Sequence, residues 1–85
     1  MSSLRKSKKK RIELYLVNDD TTTFDDVIHA LNDYLPECSK IRANQIALIT
    51  HNKGVCHIYT GPASTGLLIQ TMLLTRGLKI VTKLL

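Results

Sequence analysis

The sequence predicts a single small α+β domain, in which a three-stranded antiparallel sheet packs against three helices in the order β-α-α-β-α-β. Three observations carry this prediction. The chain has 85 residues, too few for two independent cores. Its apolar residues alternate in three short runs, and between these runs they recur at helical spacing. Helices on one face of three strands are the simplest packing of these elements, with aliphatic residues as the core, because Trp is absent.

The first strand and the first helix follow from the spacing of apolar residues. In "IELYLV" every second residue is apolar on one face, and the run ends at Asn18, as expected for a strand. From Phe24 onward the apolar residues fall at helical spacing. Thr22 or Thr23 can cap this helix, since an aspartate follows three residues after each. Pro36 ends it.

The second helix is predicted to begin after Ser39 as its N-cap and to run through "KIRANQIALITH". Gly54 in the following "NKG" can adopt the left-handed conformation that ends helices. Two neighbouring lines of residues run along this helix, one of Ile41, Gln45 and Leu48 and one of Ala43, Ala47 and Thr50.

The last three elements are a strand, a helix and a strand. "VCHIYT" reads as the second strand, and "GPASTGLLIQTMLLTRG" as the third helix, with Pro62 in its first turn and Gly77 just past its end. The apolar cluster of this helix is wide, so we expect it to lie against the sheet. "LKIVTKLL" alternates as a strand, and its lysines, which deter edge pairing, place it at an edge.

The net charge of +5 is concentrated at the start of the chain. Residues 1–11 carry six basic residues and no acid, whereas residues 12–85 carry six basic and seven acidic residues. We therefore divide the chain into a disordered basic tail, residues 1–11, and a folded domain, residues 12–85. A nucleic-acid- or ribosome-associated module using the tail is the alternative. No aromatic residue interleaves the lysines to stack on bases, so nucleic acid is the less favoured partner.

Hydropathy and cysteine usage favour a soluble protein of the cytoplasm. No apolar run approaches the roughly 20 residues of a membrane span, and no apolar segment with a cleavage site follows the basic start. Cys38 and Cys56 are a lone pair in a chain without export signals. We expect both to be reduced thiols.

The strand-to-helix corner "LVNDDTTTFDDV" contains four aspartates and three consecutive threonines. Asp25 and Asp26 suit a helix N-terminus, where acids complement the helix dipole. Asp19 and Asp20 are adjacent, so they cannot easily converge on a metal ion. The sequence has no Cys-x-x-Cys, no phosphate-binding glycine motif and no nucleophile motif. We therefore expect neither an enzyme nor a metal site.

Taken together, a strand ending in "NDD", the following "TTFDDVI" and a helix ending in "ALITHNKG" resemble the ClpS adaptor family. Members carry Asn-Asp-Asp-x-Thr-Pro-Met before a helix, then an Ala-rich helix ending in Val-His-x-x-Gly, in the same element order. The resemblance covers residues 12–85. It implies an adaptor without cofactor that binds the N-terminal residue of a substrate protein, typically a large apolar or aromatic one. It also implies delivery of that substrate to a Clp-type AAA+ unfoldase and its peptidase.

The resemblance assigns residues to two parts of a binding site. Asn18, Asp20 and His51 correspond to the family's α-ammonium ligands. An amide oxygen, a carboxylate and a neutral ring nitrogen are suitable acceptors for an ammonium group with three donors. The pocket for the first side chain would be lined by Leu16, Val17, Thr22, Phe24, Val27 and Ala47.

Departures from the family pattern predict a change in the first-residue pocket and in the surface that engages the unfoldase. Thr23 and Phe24 replace Pro-Met, and Ala47 stands where many members have Met. We expect these changes to reshape the pocket, toward branched side chains that a Met would exclude. Pro62 and Leu67 lie where members carry polar or charged residues that engage the unfoldase, so the docking surface should differ too. In the family, an N-terminal extension is engaged by the unfoldase during delivery.

Overall fold

The computed structural model, which describes residues 10–85, has the predicted element order β-α-α-β-α-β. Its strands and helices are β1 Arg11–Val17, α1 Phe24–Tyr34, α2 Lys40–Lys53, β2 Val55–Pro62, α3 Ala63–Thr75 and β3 Lys79–Leu84. The predicted fold class is confirmed. Most of the predicted tail lies outside the described residues, but Arg11, assigned to the tail, is the first residue of β1.

The sheet has the strand order β2-β1-β3, with β1 antiparallel to both neighbours. β3 is therefore an edge strand, as predicted. At the end of β1, Val17 pairs with Val55 on one side and with Lys79 on the other. The last residue of the central strand thus lies between the first residues of both outer strands.

The core lies between one face of this sheet and the three helices. Ile12, Leu14 and Leu16 on β1 are at most 2% exposed, because alternate side chains of a strand point to the same face. All three helices contribute buried residues to the same cluster, among them Ala30, Leu31, Ala43, Ile46, Ile69 and Leu73.

Local signals in the sequence set the ends of the first two helices. The amide of Asp26 donates to Thr23 Oγ1 at 3.1 Å, and the Asp26 carboxylate accepts from the Thr23 amide at 3.4 Å. This capping box confirms one of the two predicted caps and is worth about 1 kcal/mol. Ser39 accepts from the Arg42 amide at 3.1 Å. Gly54 ends α2 with φ +90°, as predicted.

The third helix differs from its prediction in two respects. Pro62 is the last residue of β2 and not part of the first helical turn, because its pairing with Arg11 continues the strand to that point. Part of the apolar cluster, Leu67, Leu68 and Leu74, is about half exposed or more, since one side of a helix faces the sheet. Like the other described helices, α3 is not long and apolar enough to cross a membrane.

Candidate functional site

A cavity of about 240 Å³ opens at the end of β1. Three parts of the chain meet there: the corner between β1 and α1, the end of α2, and the start of β3. The corner is held to the end of α2 by the backbone amide of Asn18, which donates to the backbone carbonyl of Gly54 at 2.9 Å. Because Gly54 leads directly into β2, the antiparallel pairing of β2 with β1 places His51 beside the corner.

All nine site residues predicted from the sequence line this one cavity. They are the three expected α-ammonium ligands, Asn18, Asp20 and His51, and the six expected pocket residues, Leu16, Val17, Thr22, Phe24, Val27 and Ala47. The residues come from two helices, a strand and a turn, so their meeting depends on the tertiary structure. Their roles in binding remain predictions.

Four further residues line the cavity and were not among the predicted ones: Asp19, Thr23, Thr50 and Lys79. Thr50 follows Ala43 and Ala47 along one side of α2, so helical spacing was a usable signal for it. Lys79 had no local signal. It reaches the cavity through the pairing of β3 with β1, which the sequence does not specify residue by residue.

The four aspartates of the corner have different environments. Asp25 and Asp26 lie in the first turn of α1 and do not line the cavity. Asp19 Oδ1 accepts from the Thr21 amide at 3.0 Å and from the Thr21 hydroxyl at 2.9 Å. These bonds hold the pKa of Asp19 below its ordinary value. Asp19 therefore stabilises the turn through Oδ1, whereas the Asp20 carboxylate makes no hydrogen bond within residues 10–85.

Three polar side chains of the cavity have no hydrogen-bond partner within residues 10–85. Within residues 10–85, the side chains of Asn18, Asp20 and His51 make no hydrogen bond and no ion pair. Each can accept a hydrogen bond from a ligand, and Asp20 adds a negative charge. His51 lies in the last turn of α2.

Part of the cavity wall is apolar. Leu16 and Ala47 are nearly fully buried at 2% and 4% exposure, and Val27 is half-buried. Phe24, whose helical spacing suggests an ordinary core residue, is 38% exposed and lies against His51 with ring centroids 5.6 Å apart. Phe24 therefore belongs to the cavity and not to the core.

This arrangement suits a small cationic group attached to an apolar one. Apolar walls with a few convergent polar groups are typical of ligand pockets. Among the described residues, no three His, Cys, Asp or Glu side chains are grouped so as to hold a metal ion. The cavity thus offers recognition by hydrogen bonds, charge and apolar contact.

Comparisons with known proteins identify a family and a similar fold. A family model described as "ATP-dependent Clp protease adaptor protein ClpS" matches residues 7–68. The solved structure of Agrobacterium tumefaciens ClpS2 bound to L-phenylalaninamide superimposes with a TM-score of 0.82 at 17% identity, covering 92% of this chain and 100% of that one. A search of curated proteins gave no match. Because the family model spans most of the chain, this protein belongs to the ClpS family of Clp protease adaptors.

Proposed function

We propose that this protein binds the free amino terminus of substrate proteins whose first residue is large and apolar or aromatic, and delivers them to a Clp-type AAA+ unfoldase. One observation carries the proposal. Asn18, Asp20 and His51, whose side chains have no hydrogen-bond partner within residues 10–85, line the cavity at the end of β1 together with apolar side chains.

The α-ammonium group is the part of the ligand that the polar side recognises. It has three N–H donors and one positive charge, and it meets an amide oxygen on Asn18, a carboxylate on Asp20 and a neutral ring nitrogen on His51. The hydrogen bond to Asp20 is charge-assisted and is therefore the strongest of the three. Asp20 also balances the charge that the ligand brings into the cavity.

Selectivity for chain ends follows from the same acceptors. An internal peptide amide or an acetylated terminus has no positive charge and fewer donors, so it leaves acceptors unpaired. A site built for hydrogen bonds rejects such ligands strongly, because its polar groups lose water without gaining partners. The first side chain enters between Leu16, Val27 and Ala47, where burial of apolar surface contributes about 25 cal/mol per Å².

The fold neighbour supports this mode of binding. L-phenylalaninamide, bound to the Agrobacterium tumefaciens protein, combines a free α-amine with an aromatic side chain. Delivery to an unfoldase rests on the family description, which names an adaptor of an ATP-dependent Clp protease. An adaptor needs no chemistry of its own, so we propose a non-enzymatic role in the cytoplasm.

A titration with fluorescent peptides that differ only in their first residue tests the proposal. Each peptide is measured with a free and with an N-acetylated terminus. We expect acetylation to abolish binding and Asp20→Ala to weaken it by about tenfold or more, as loss of a hydrogen bond to a charged group would. Asp25→Ala, a neighbouring carboxylate outside the cavity, is the matched control and should bind normally. Equal affinity for free and acetylated peptides contradicts the proposal.

Salt dependence separates this function from nucleic-acid binding through the basic tail. A protein that neutralises several phosphates loses affinity steeply as salt increases. The first-residue ligand is held through one ammonium group, so its affinity should fall only modestly. A single-stranded oligonucleotide titrated at low and high salt provides the comparison. Tight, steeply salt-dependent binding of the oligonucleotide, without terminus-dependent peptide binding, would favour the alternative.

A further inference from the structure

We propose that Lys79 is a specificity-determining residue that favours first residues whose side chain ends in an oxygen acceptor. Among these, tyrosine is the one whose aromatic ring also makes apolar contact with the pocket wall. The inference rests on the proposed function, because it concerns the side chain of the same first residue. It goes beyond the apolar pocket predicted from the sequence, which contained no cation.

The position of Lys79 follows from the sheet. Lys79 is the first residue of β3, pairs with Val17 at the end of β1, and lines the cavity. Its side chain is exposed, so its methylene groups can contact an apolar ligand side chain while the ammonium group stays in solvent at the edge of the cavity.

The ammonium group of Lys79 is available to a ligand. Among residues 10–85 the ion pair present is Arg76 with Asp33, at 3.1 Å. The charge of Lys79 acts on Asp19 from a distance and contributes to its lowered pKa. However, Asp19 Oδ1 already accepts two hydrogen bonds from Thr21, and Lys79 donates none to it. Within residues 10–85, the three donors of Lys79 are therefore free.

Lys79 and His51 line the cavity from two different elements, the start of β3 and the last turn of α2. His51 precedes β2, Lys79 begins β3, and β1 lies between these strands. The two outer strands, β2 and β3, are two strand spacings or about 10 Å apart. A first residue whose α-ammonium is bound beside His51 can thus direct its side chain toward β3, where the tip meets the second cation. An oxygen acceptor at that tip accepts from Lys79, whereas a basic tip is repelled.

Tyrosine and phenylalanine form the pair that isolates this effect, because they differ only in the phenol oxygen. Peptides beginning with Tyr or Phe are titrated against the full-length protein, Lys79→Met and Lys83→Met. The first variant keeps an apolar stem and removes the charge. Lys83 is exposed on the same face of β3, pairs with Glu13 and does not line the cavity, so it is the matched control.

In the unchanged protein and in Lys83→Met, we expect the Tyr peptide to bind about three- to tenfold more tightly than the Phe peptide, the range of a partly exposed charge-assisted hydrogen bond. In Lys79→Met the two affinities should become about equal. Lys79→Gln, which loses the charge but stays polar, should narrow the preference and serves if Lys79→Met fails to give a cooperative thermal transition.

Two failures can be told apart. If N-acetylation abolishes binding but the Tyr-to-Phe ratio is the same with and without Lys79, the role of Lys79 is overturned and the proposed function stands. If acetylation leaves binding unchanged, the proposed function fails and this inference fails with it.

Discussion

The ring of Phe24 lies edge to face against the imidazole of His51, with centroids 5.6 Å apart and ring planes inclined by 72°. Phe24 is the first residue of α1, and His51 lies in the last turn of α2. A residue of the apolar wall therefore contacts one of the predicted α-ammonium ligands. We expect this contact to couple side-chain recognition to amine recognition.

We expect Phe24→Ala to weaken binding for every first residue, and not for aromatic ones alone, because it removes both a wall and a support of His51. An edge-to-face aromatic pair contributes about 0.5 to 1.5 kcal/mol, so the loss should be about two- to tenfold. Peptide titration measures it. Ile41→Ala removes an exposed apolar residue outside the cavity and should change nothing. A loss confined to aromatic first residues would show that Phe24 does not support His51.

Ala47 leaves room in the pocket that a longer side chain would fill. It is 4% exposed and lines the cavity. We expect peptides beginning with Ile or Val to bind the unchanged protein, and Ala47→Met to weaken them by about tenfold because branched side chains adapt poorly to a narrowed space. Leu48→Met, on the exposed side of the same helix, is the control. An unchanged ranking, with Leu and aromatic residues first in both proteins, would contradict this prediction.

Gly66 permits the close packing of α3 on β1. A Cβ at Gly66 would lie 2.5 Å from Ile12 Cδ1, 2.8 Å from Ile12 Cγ1 and 2.9 Å from Tyr59 Cε2. Ile12 is fully buried and cannot move aside freely. We expect Gly66→Ala to destabilise the protein by about 1 to 3 kcal/mol, measured by denaturant unfolding. An exposed helical Gly→Ala change gains up to about 1 kcal/mol instead, so a gain would disprove the tight contact. Thr65→Ala is the exposed control.

The turn formed by Asp19 should respond to pH. Its pKa is lowered in the fold by hydrogen bonds from Thr21, so its stabilising contribution is present above the ordinary Asp value of about 3.9 and is lost as the pH falls through the lowered pKa. Asp19→Asn keeps an oxygen acceptor but does not titrate. The Tm advantage of the unchanged protein over this variant should therefore shrink between about pH 5 and pH 2. A constant difference would show that the Asp19 carboxylate is not the titrating group.

The basic tail is proposed to serve delivery and not ligand binding. The Lys10 carbonyl accepts a hydrogen bond from the Ala63 amide at 2.8 Å. A deletion of residues 2–9 therefore keeps Lys10 and this bond. We expect this deletion to leave peptide affinity and Tm unchanged and to slow degradation of a substrate by a Clp-type protease. Replacing residues 2–9 by an uncharged segment of equal length separates length from charge. A large loss of peptide affinity would place the tail in the binding site.

The sequence alone determined the elements of this fold, and its resemblance to a known family named most of the residues that line the candidate site. Helix ends were predictable because their signals are local: Thr23 caps through an aspartate three residues later, and Gly54 adopts a conformation that other residues avoid. The corner and the end of α2 were brought together by resemblance to a known family, and the nine residues named from it line one cavity.

The tertiary structure alone decided which neighbours complete the cavity and which apolar residues remain at the surface. Lys79 enters the cavity because of the register between β3 and β1, and a register depends on pairing between distant parts of the chain. Leu67 and Leu68 are exposed because α3 turns one side to the sheet, and hydropathy does not specify that rotation where apolar residues surround a helix. Contacts between elements distant in sequence are cooperative, so local patterns cannot specify them.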